Sequence, residues 1–362
     1  MVDQKTTIES IKVKNSSLLK VKFNGNDWMY IRLHIEEKYF KYVKTTTPSF
    51  DISMMRGGCG IMIENHLIDE CGEPLDSSCI MSQALSSMVT EFGIVVLRGF
   101  KKFESENEMI ESYYPRLSHG MVKWEFGYIH KVKPNDTMPG STCSYEGLPM
   151  HIDLMAPPRY MNISQEDHKY EDFLPREFLL YCKDTDLTSN EGQTTFIDSN
   201  AAIMALHGKV IEQWRNTVLS YETQLSKPNK KEVYFGGKGN TYQYPLVMKC
   251  PWTGKDVLRW WQAWTAKEHP NSRQFSWHEI TVLPADTMQT VEELEDDIKN
   301  ISFDERCFFG HTYAKGDQVY VNNYTMLHGR QGFSNNRELW RIQAVPPSNN
   351  TPVYYANNAF LS

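Results

Sequence analysis

The chain predicts a mainly β fold with flanking helices, on three observations. Arg337-Glu338-Leu339-Trp340-Arg341-Ile342-Gln343-Ala344 alternates with period two, so Arg337, Leu339, Arg341 and Gln343 share one face of a strand while Trp340 and Ile342 share the other. Short apolar runs of strand length recur, as in Gly93 to Leu97 and Phe178 to Cys182. Helical patterning is found at Ser82 to Thr90, ahead of the strand from Gly93, and at Thr290 to Asn300, where Val291, Leu294 and Ile298 fall at helical spacing among acidic residues.

Residues 1–80 form an N-terminal part with strand-like runs at Leu18 to Phe23 and Met29 to Ile35 and a turn at Gly57-Gly58-Cys59-Gly60. We expect it to pack as an extension on a core of residues 81–362, the two forming one structural unit. Arg159 to Glu177 is a polar insertion that reads equally as a lid or as a solvated loop, and its His168 is not expected to bind metal. Leu258-Arg259-Trp260-Trp261-Gln262-Ala263-Trp264 carries three indoles, for which core packing outweighs cavity lining. Tyr128 and His130 in the Lys123 to His130 segment could reach a substrate chamber, although a satisfied structural histidine is the safer expectation.

Net charge is −7 and no run of Lys and Arg is present, which argues against a partner such as nucleic acid that needs a concentrated positive footprint. Seven cysteines, Cys59, Cys71, Cys79, Cys143, Cys182, Cys250 and Cys307, are scattered without paired Cys-x-x-Cys spacing, so neither a disulfide framework nor a structural zinc site is indicated. The first ten residues hold no apolar core of a leader, and no stretch approaches the ~20 apolar residues that span a bilayer. A reducing cytoplasm, with no membrane partner, is the expected location.

The chemistry-bearing pattern is His151-Ile152-Asp153, answered far downstream by His328. Residues i and i+2 of a strand project from the same side, so His151 and Asp153 can reach one metal while Ile152 points into the opposite layer. Two imidazoles and a carboxylate are the ligand set of a facial-triad iron site, which leaves the opposite coordination positions open. With 11 His and 45 acidic residues, about one His-x-Asp/Glu is expected by chance. The chain holds a second, His34-Ile35-Glu36, which we read as a solvated strand.

Context separates the two. Glu91-Phe92-Gly93-Ile94-Val95-Val96-Leu97-Arg98-Gly99-Phe100, Ala156-Pro157-Pro158, Phe178 to Cys182, Glu191 to Asp198, Cys250-Pro251-Trp252-Thr253-Gly254, Lys315 to Asn323, Leu327-His328-Gly329-Arg330 and Arg337 to Arg341 follow one another in an order that resembles the taurine dioxygenase and clavaminate synthase family of Fe(II)/2-oxoglutarate oxygenases. The resemblance spans about residues 80–345. It implies a double-stranded β-helix, or jelly-roll, core and Fe(II) held by His151, Asp153 and His328. It further implies that 2-oxoglutarate has its distal carboxylate on Arg337 and Thr194, and that dioxygen is the other cosubstrate. Decarboxylation to succinate would accompany attack on a substrate C–H bond, giving hydroxylation, desaturation or ring formation.

The residues add their own argument. An inward guanidinium in a half-buried cavity is costly unless an anion meets it, and its planar fork matches a carboxylate. Arg337 and Arg341 lie roughly 13 Å apart at ~3.3 Å rise per residue, which suits two different anions. Arg341 is therefore the candidate for a substrate carboxylate, and a small amino acid or amino-acid-derived metabolite is the expected substrate. Two alternatives are a jelly-roll zinc hydrolase or isomerase, since His2Asp also suits Zn(II), and a noncatalytic binding protein on the same fold. The zinc reading leaves the inward Arg337 and Thr194 unexplained, and the complete triad counts against the noncatalytic one. Halogenation would need a vacancy where Asp153 stands.

Overall fold

The structure, a computed structural model, describes residues 7–13, 16–23, 26–33, 38–43, 50–55, 59–66, 68–80, 82–113, 121–124, 127–134, 144–153, 175–186, 191–206, 208–225, 241–262, 276–283, 290–344 and 354–355. The first four strands, β1 (Thr7–Val13), β2 (Ser16–Phe23), β3 (Asn26–Leu33) and β4 (Lys38–Val43), form an antiparallel meander of their own. The two expected N-terminal strands fall on β2 and β3, whereas His34 and Glu36 of the discounted motif lie outside the described residues. Next come β5 (Phe50–Met54), β6 (Ile61–Asn65), α1 (Ser82–Phe92), β7 (Ile94–Arg98), α2 (Glu106–Tyr113), β8 (Lys123–Trp124), β9 (His130–Val132) and β10 (Leu148–His151). Helix α1 is the one expected before the Gly93 strand. Residues 159–174 of the polar insertion, His168 among them, lie outside the described residues.

The chain continues through β11 (Glu177–Thr185), β12 (Thr194–Asp198), α3 (Ser199–Met204), α4 (Lys209–Arg215), β13 (Val218–Leu225), β14 (Thr241–Pro245), β15 (Val247–Lys249), β16 (Asp256–Leu258) and β17 (Ser276–Leu283). Helix α5 (Val291–Ser302) starts at a capping box: Thr290 Oγ1 accepts from the Glu293 N–H at 3.2 Å and the Glu293 carboxylate accepts from the Thr290 N–H at 2.8 Å. The last strands are β18 (Phe308–His311), β19 (Gln318–Asn322), β20 (Met326–Arg330), β21 (Arg337–Gln343) and β22 (Tyr354–Tyr355).

Two sheets make the double-stranded β-helix. One runs β5-β6-β7-β19-β11-β21-β9 and the other β10-β20-β12-β18. Strand β11 is buried on both faces because it lies between β19 and β21 and each face meets a different apolar layer. Phe178, Leu180 and Cys182 pack with Phe196, Phe309, Val319, Val321 and Leu339 between the sheets. Leu179 and Tyr181 pack with Ile342, Trp340 and residues of α1 and α2 on the outer face of the larger sheet.

A third cluster backs the smaller sheet. There Met150, Ile152, Ile197 and Leu327 meet Ala202, Ile203, Trp214, Leu258, Trp260, Leu294 and Ile298. Each large apolar side chain fully buried in these layers contributes ~1.5–3 kcal/mol, which together outweighs the cost of turning a few polar side chains inward. No helix of the described residues is long and apolar enough to cross a membrane. Cys59, Cys71, Cys79, Cys182, Cys250 and Cys307 are all unbridged, as the scattered spacing implies.

Gly93 joins α1 to β7 at φ +77°, its N–H donating to Val89 O at 3.0 Å and its O accepting from the Asn322 N–H at 2.7 Å. A Cβ there would stand 2.5 Å from Met326 Sδ, two residues before His328. Gly93→Ala is expected to lower stability by about 2 kcal/mol, from left-handed strain and the crowding of Met326. Urea unfolding should show a lower midpoint with an unchanged slope.

Candidate metal centre

His151 and His328 face each other because β10 and β20 pair antiparallel with these two residues in register. Their rings lie 4.4 Å apart between centroids, and Phe178 packs at 4.7 Å from the His328 ring. Asp153 stands in the turn just beyond β10 rather than within it, so the paired projection expected of a strand is achieved differently. Asn323 accepts from the Asp153 N–H at 2.9 Å and donates to Asp153 O at 3.1 Å and Pro175 O at 2.9 Å, pinning the turn. Ile152 points into the opposite layer, as expected.

His151 Nε2 and His328 Nε2 lie 3.6 and 3.5 Å from Asp153 Oδ1, and one ligand atom from each of the three residues falls within 4.8 Å of the others. The His151 Nδ1–H donates to Pro149 O at 2.8 Å, which leaves Nε2 as the lone-pair nitrogen aimed at the cluster. Two such nitrogens and a carboxylate oxygen fit Fe(II), and the donor set could also take Zn(II).

The carboxylate is compensated on its other side. Gln343 Nε2 donates to Asp153 Oδ2 at 2.7 Å, and Arg341 Nη1 donates to Oδ2 at 3.0 Å and Oδ1 at 3.2 Å. Burial alone would raise the Asp153 pKa, but the adjacent Arg341 charge holds it well below the usual carboxylate range. The His328 pKa is lowered, first by burial and then by the neighbouring His151. Arg341 Nη2 in turn donates to His130 Nδ1 at 3.0 Å, and burial, reinforced by the Arg341 charge, pushes the His130 pKa down to about 3. His130 is thus a neutral acceptor, while Tyr128 packs against the outer cluster, away from the metal ligands.

Arg337 is in the opposite situation. It is 1 % exposed, its Nη1 donates to Gly192 O, and its guanidinium lies over the rings of Phe333 and Tyr313 at 4.8 and 5.8 Å. Its Nε has no hydrogen-bond partner and no carboxylate pairs with it among the described residues. Burial lowers its pKa. Thr194 Oγ1 shares a 2.9 Å hydrogen bond with the Tyr313 hydroxyl. Asp198 and Glu338 are engaged elsewhere: Asp198 caps α3 and Glu338 takes Lys133 and the Trp340 indole.

Among the indoles, Trp260 is core and donates to Glu295 Oε1 at 3.1 Å, but Trp261 is half-buried with its ring 5.6 Å from that of His151. Trp264 lies outside the described residues. Sequence reasoning missed Gln343, Asn323 and Tyr313. Gln343 could have been found, since period two already placed it on the face of Arg341.

A two-histidine, one-carboxylate set in a jelly roll that also buries an arginine with no carboxylate partner among the described residues is the equipment of a non-haem iron dioxygenase that uses 2-oxoglutarate. The chain belongs to the taurine catabolism dioxygenase TauD, TfdA family, whose model matches residues 72–343. It is similar to 3-((Z)-2-isocyanoethenyl)-1H-indole synthase of Fischerella ambigua, 25% identical over 283 residues that cover 77% of this chain and 92% of that protein. Tyrosine isonitrile desaturase of Pseudomonas aeruginosa is 20% identical over 263 residues, 72% of this chain and 80% of its own. The crystal structure of PvcB from Pseudomonas aeruginosa shares the fold at TM-score 0.61 and 18% identity, covering 83% of this chain and 94% of that one.

Removing an imidazole should remove the metal. His151→Ala and His328→Ala are each expected to abolish stoichiometric Fe(II) uptake in an anaerobic titration and, with it, 2-oxoglutarate turnover, because two remaining ligands supply neither affinity nor geometry. Full turnover of either variant at limiting iron would contradict the ligand assignment.

Proposed function

We propose that this dioxygenase removes two hydrogens from adjacent carbons of a small, carboxylate-bearing, amino-acid-derived isonitrile, with hydroxylation or ring formation as other outcomes of the same site. The observation that carries the enzyme chemistry is the buried, uncompensated Arg337 beside an inward His2Asp set. Substrate class rests on relatives whose names join an indole or tyrosine skeleton to an isonitrile and to an alkene or a desaturation. Desaturation balances as substrate plus 2-oxoglutarate plus dioxygen giving alkene, succinate, carbon dioxide and water. Iron chelated by 2-oxoglutarate supplies the oxidising power when bound, and the pocket selects the C–H bond that reacts.

The roles of the chain's own residues follow from their surroundings. His151, Asp153 and His328 hold the metal. Arg337 and Thr194 hold the distal carboxylate of 2-oxoglutarate, an anion that relieves the burial of the guanidinium, with Tyr313 braced against Thr194. Trp261 offers an aromatic surface beside His151 for the substrate's ring. Arg341 commits Nη1 to Asp153 and Nη2 to His130, while its Nε is without a partner among the described residues, and we assign that donor to the substrate carboxylate. A cytoplasmic location, with residues 1–80 packed as an extension on the catalytic core, completes this reading.

Arg337→Ala is expected to raise the 2-oxoglutarate concentration needed for half-maximal rate, because loss of a buried charge-assisted pair costs ~2–5 kcal/mol, roughly thirtyfold to several-thousandfold. An unchanged 2-oxoglutarate dependence would move that role to another residue.

The substrate assignment is tested by succinate release. Isonitriles of aromatic amino acids should stimulate it and yield a product two hydrogens lighter. Free amino acids and carboxylate-free isonitriles should not. Equal stimulation by carboxylate-free compounds would overturn the anionic-substrate claim and leave the oxygenase class intact.

A further inference from the structure

We propose that Gln343 and His130 are positioning residues that hold the Asp153 carboxylate to one-point ligation of the metal, Gln343 directly and His130 through Arg341. The proposal deepens the iron reading of the triad and rests on it. A carboxylate has two oxygens and, if both reach a metal, it occupies two coordination positions. The chemistry here needs three positions left open, two for a chelating keto acid and one for dioxygen, so the second oxygen must be kept away.

The geometry divides the two oxygens. Asp153 Oδ1 faces both imidazoles, at 3.6 Å from His151 Nε2 and 3.5 Å from His328 Nε2. Oδ2 accepts from Gln343 Nε2 at 2.7 Å and is the nearer acceptor of Arg341 Nη1, at 3.0 Å against 3.2 Å for Oδ1. The Gln343 amide orientation follows from chemistry, because an ionised carboxylate only accepts and so the NH2 must face it. The other amide atom, Gln343 Oε1, is buried with no partner among the described residues, so the side chain is held by the bond to Asp153.

Arg341 could satisfy a carboxylate in many poses, but His130 Nδ1 takes its Nη2 at 3.0 Å and fixes the plane of the guanidinium. All three residues come from adjacent strands: His130 pairs with Arg341 across β9 and β21, and Gln343 follows two residues on. Carboxylate orientation is therefore set by the larger sheet, while the imidazoles are set by the smaller one.

Co(II) titration of the metal-free protein tests the assignment without requiring turnover. Gln343→Leu keeps the bulk and removes the donor, and Co(II) binding is expected to weaken by about 10- to 100-fold with an altered visible absorption spectrum. At saturating Fe(II), Gln343→Leu should also need more 2-oxoglutarate for half-maximal rate, because a second Asp153 oxygen on the metal would take a position the keto acid chelates. His130→Phe should weaken Co(II) binding in the same direction, whereas His130→Gln, which restores an acceptor for Arg341, should recover most of it.

Native Co(II) affinity and spectrum in Gln343→Leu would overturn the role of Gln343. Equal loss in His130→Phe and His130→Gln would overturn that of His130, since packing alone would then explain both. If Gln343→Leu fails to fold, the His130 pair decides the matter. Failure of the native chain itself to bind Co(II) would sink the metal reading and the proposal together. Tight native binding with indifferent variants would sink the positioning role alone.

Discussion

Burial of the Asp153 carboxylate is the constraint around which the site is built. Taking an anion out of water costs several kcal/mol unless donors replace the lost solvent, and Asp153 is nearly enclosed between two sheets. Four side chains meet it: Arg341 and Gln343 from β21, and His151 and His328 from β10 and β20. Removing Arg341 or Gln343 leaves the anion less compensated and its orientation less determined. The ligand cluster is therefore a property of both sheets at once, and the apolar layers on either side hold the sheets at the distance that this pairing requires.

The two inward arginines of β21 divide the labour. Arg341 is neutralised within the protein, by a carboxylate that must itself serve a metal. Arg337 is surrounded by two aromatic rings and a backbone carbonyl, which soften the burial of a cation without cancelling its charge. A fold selected for stability alone would pair or expose that guanidinium, since breaking even for a buried charge demands a close counter-ion. On the proposed reading it awaits the distal carboxylate of 2-oxoglutarate beside the Thr194 and Tyr313 hydroxyls, a feature that a hydrolytic zinc centre with the same three ligands would leave unexplained.

Much of this was legible in the sequence, for a physical reason. Strand alternation is local, so the inward face Arg337, Leu339, Arg341 and Gln343 could be read from eight residues, as could the outward turn of Ile152. Helices α1 and α5 were legible as helical patterning at Ser82 to Thr90 and at Thr290 to Asn300. Partnerships across the fold were not legible. Arg341 and Asp153 are 188 residues apart and Asn323 and Asp153 are 170 apart, and nothing local in either segment names the other. For that reason Arg341 read as an arginine awaiting an external anion, when its nearest anion is a ligand of the metal. Asp153 read as strand, although the Asn323 side chain replaces the ladder and lets the backbone turn.

The inward faces also constrain what can be recognised. Phe178, Leu180, Phe196, Val132 and Leu339 fill the space between the sheets with apolar surface. On the proposed reading the inward polar groups are largely committed: His151, Asp153 and His328 to a metal, Gln343 and most of Arg341 to Asp153, and Arg337 with Thr194 to the cosubstrate carboxylate. Among the described residues, the proposed substrate contacts are the Arg341 Nε–H and the Trp261 face beside His151. Such a site gains little from a polyhydroxylated or highly charged molecule, whose groups would go unpaired on entry. The substrate proposed above, with one carboxylate and a flat apolar body, avoids that cost. Gln262 adds a rigid link in the same direction: its Oε1 accepts from the Met150 N–H at 3.1 Å and its N–H donates to Met150 O at 2.9 Å, so the segment bearing Trp261 is bonded to the strand bearing His151. Aromatic surface and metal ligand are thereby held in one piece, and the substrate's ring would be located relative to the metal by the β10 backbone itself.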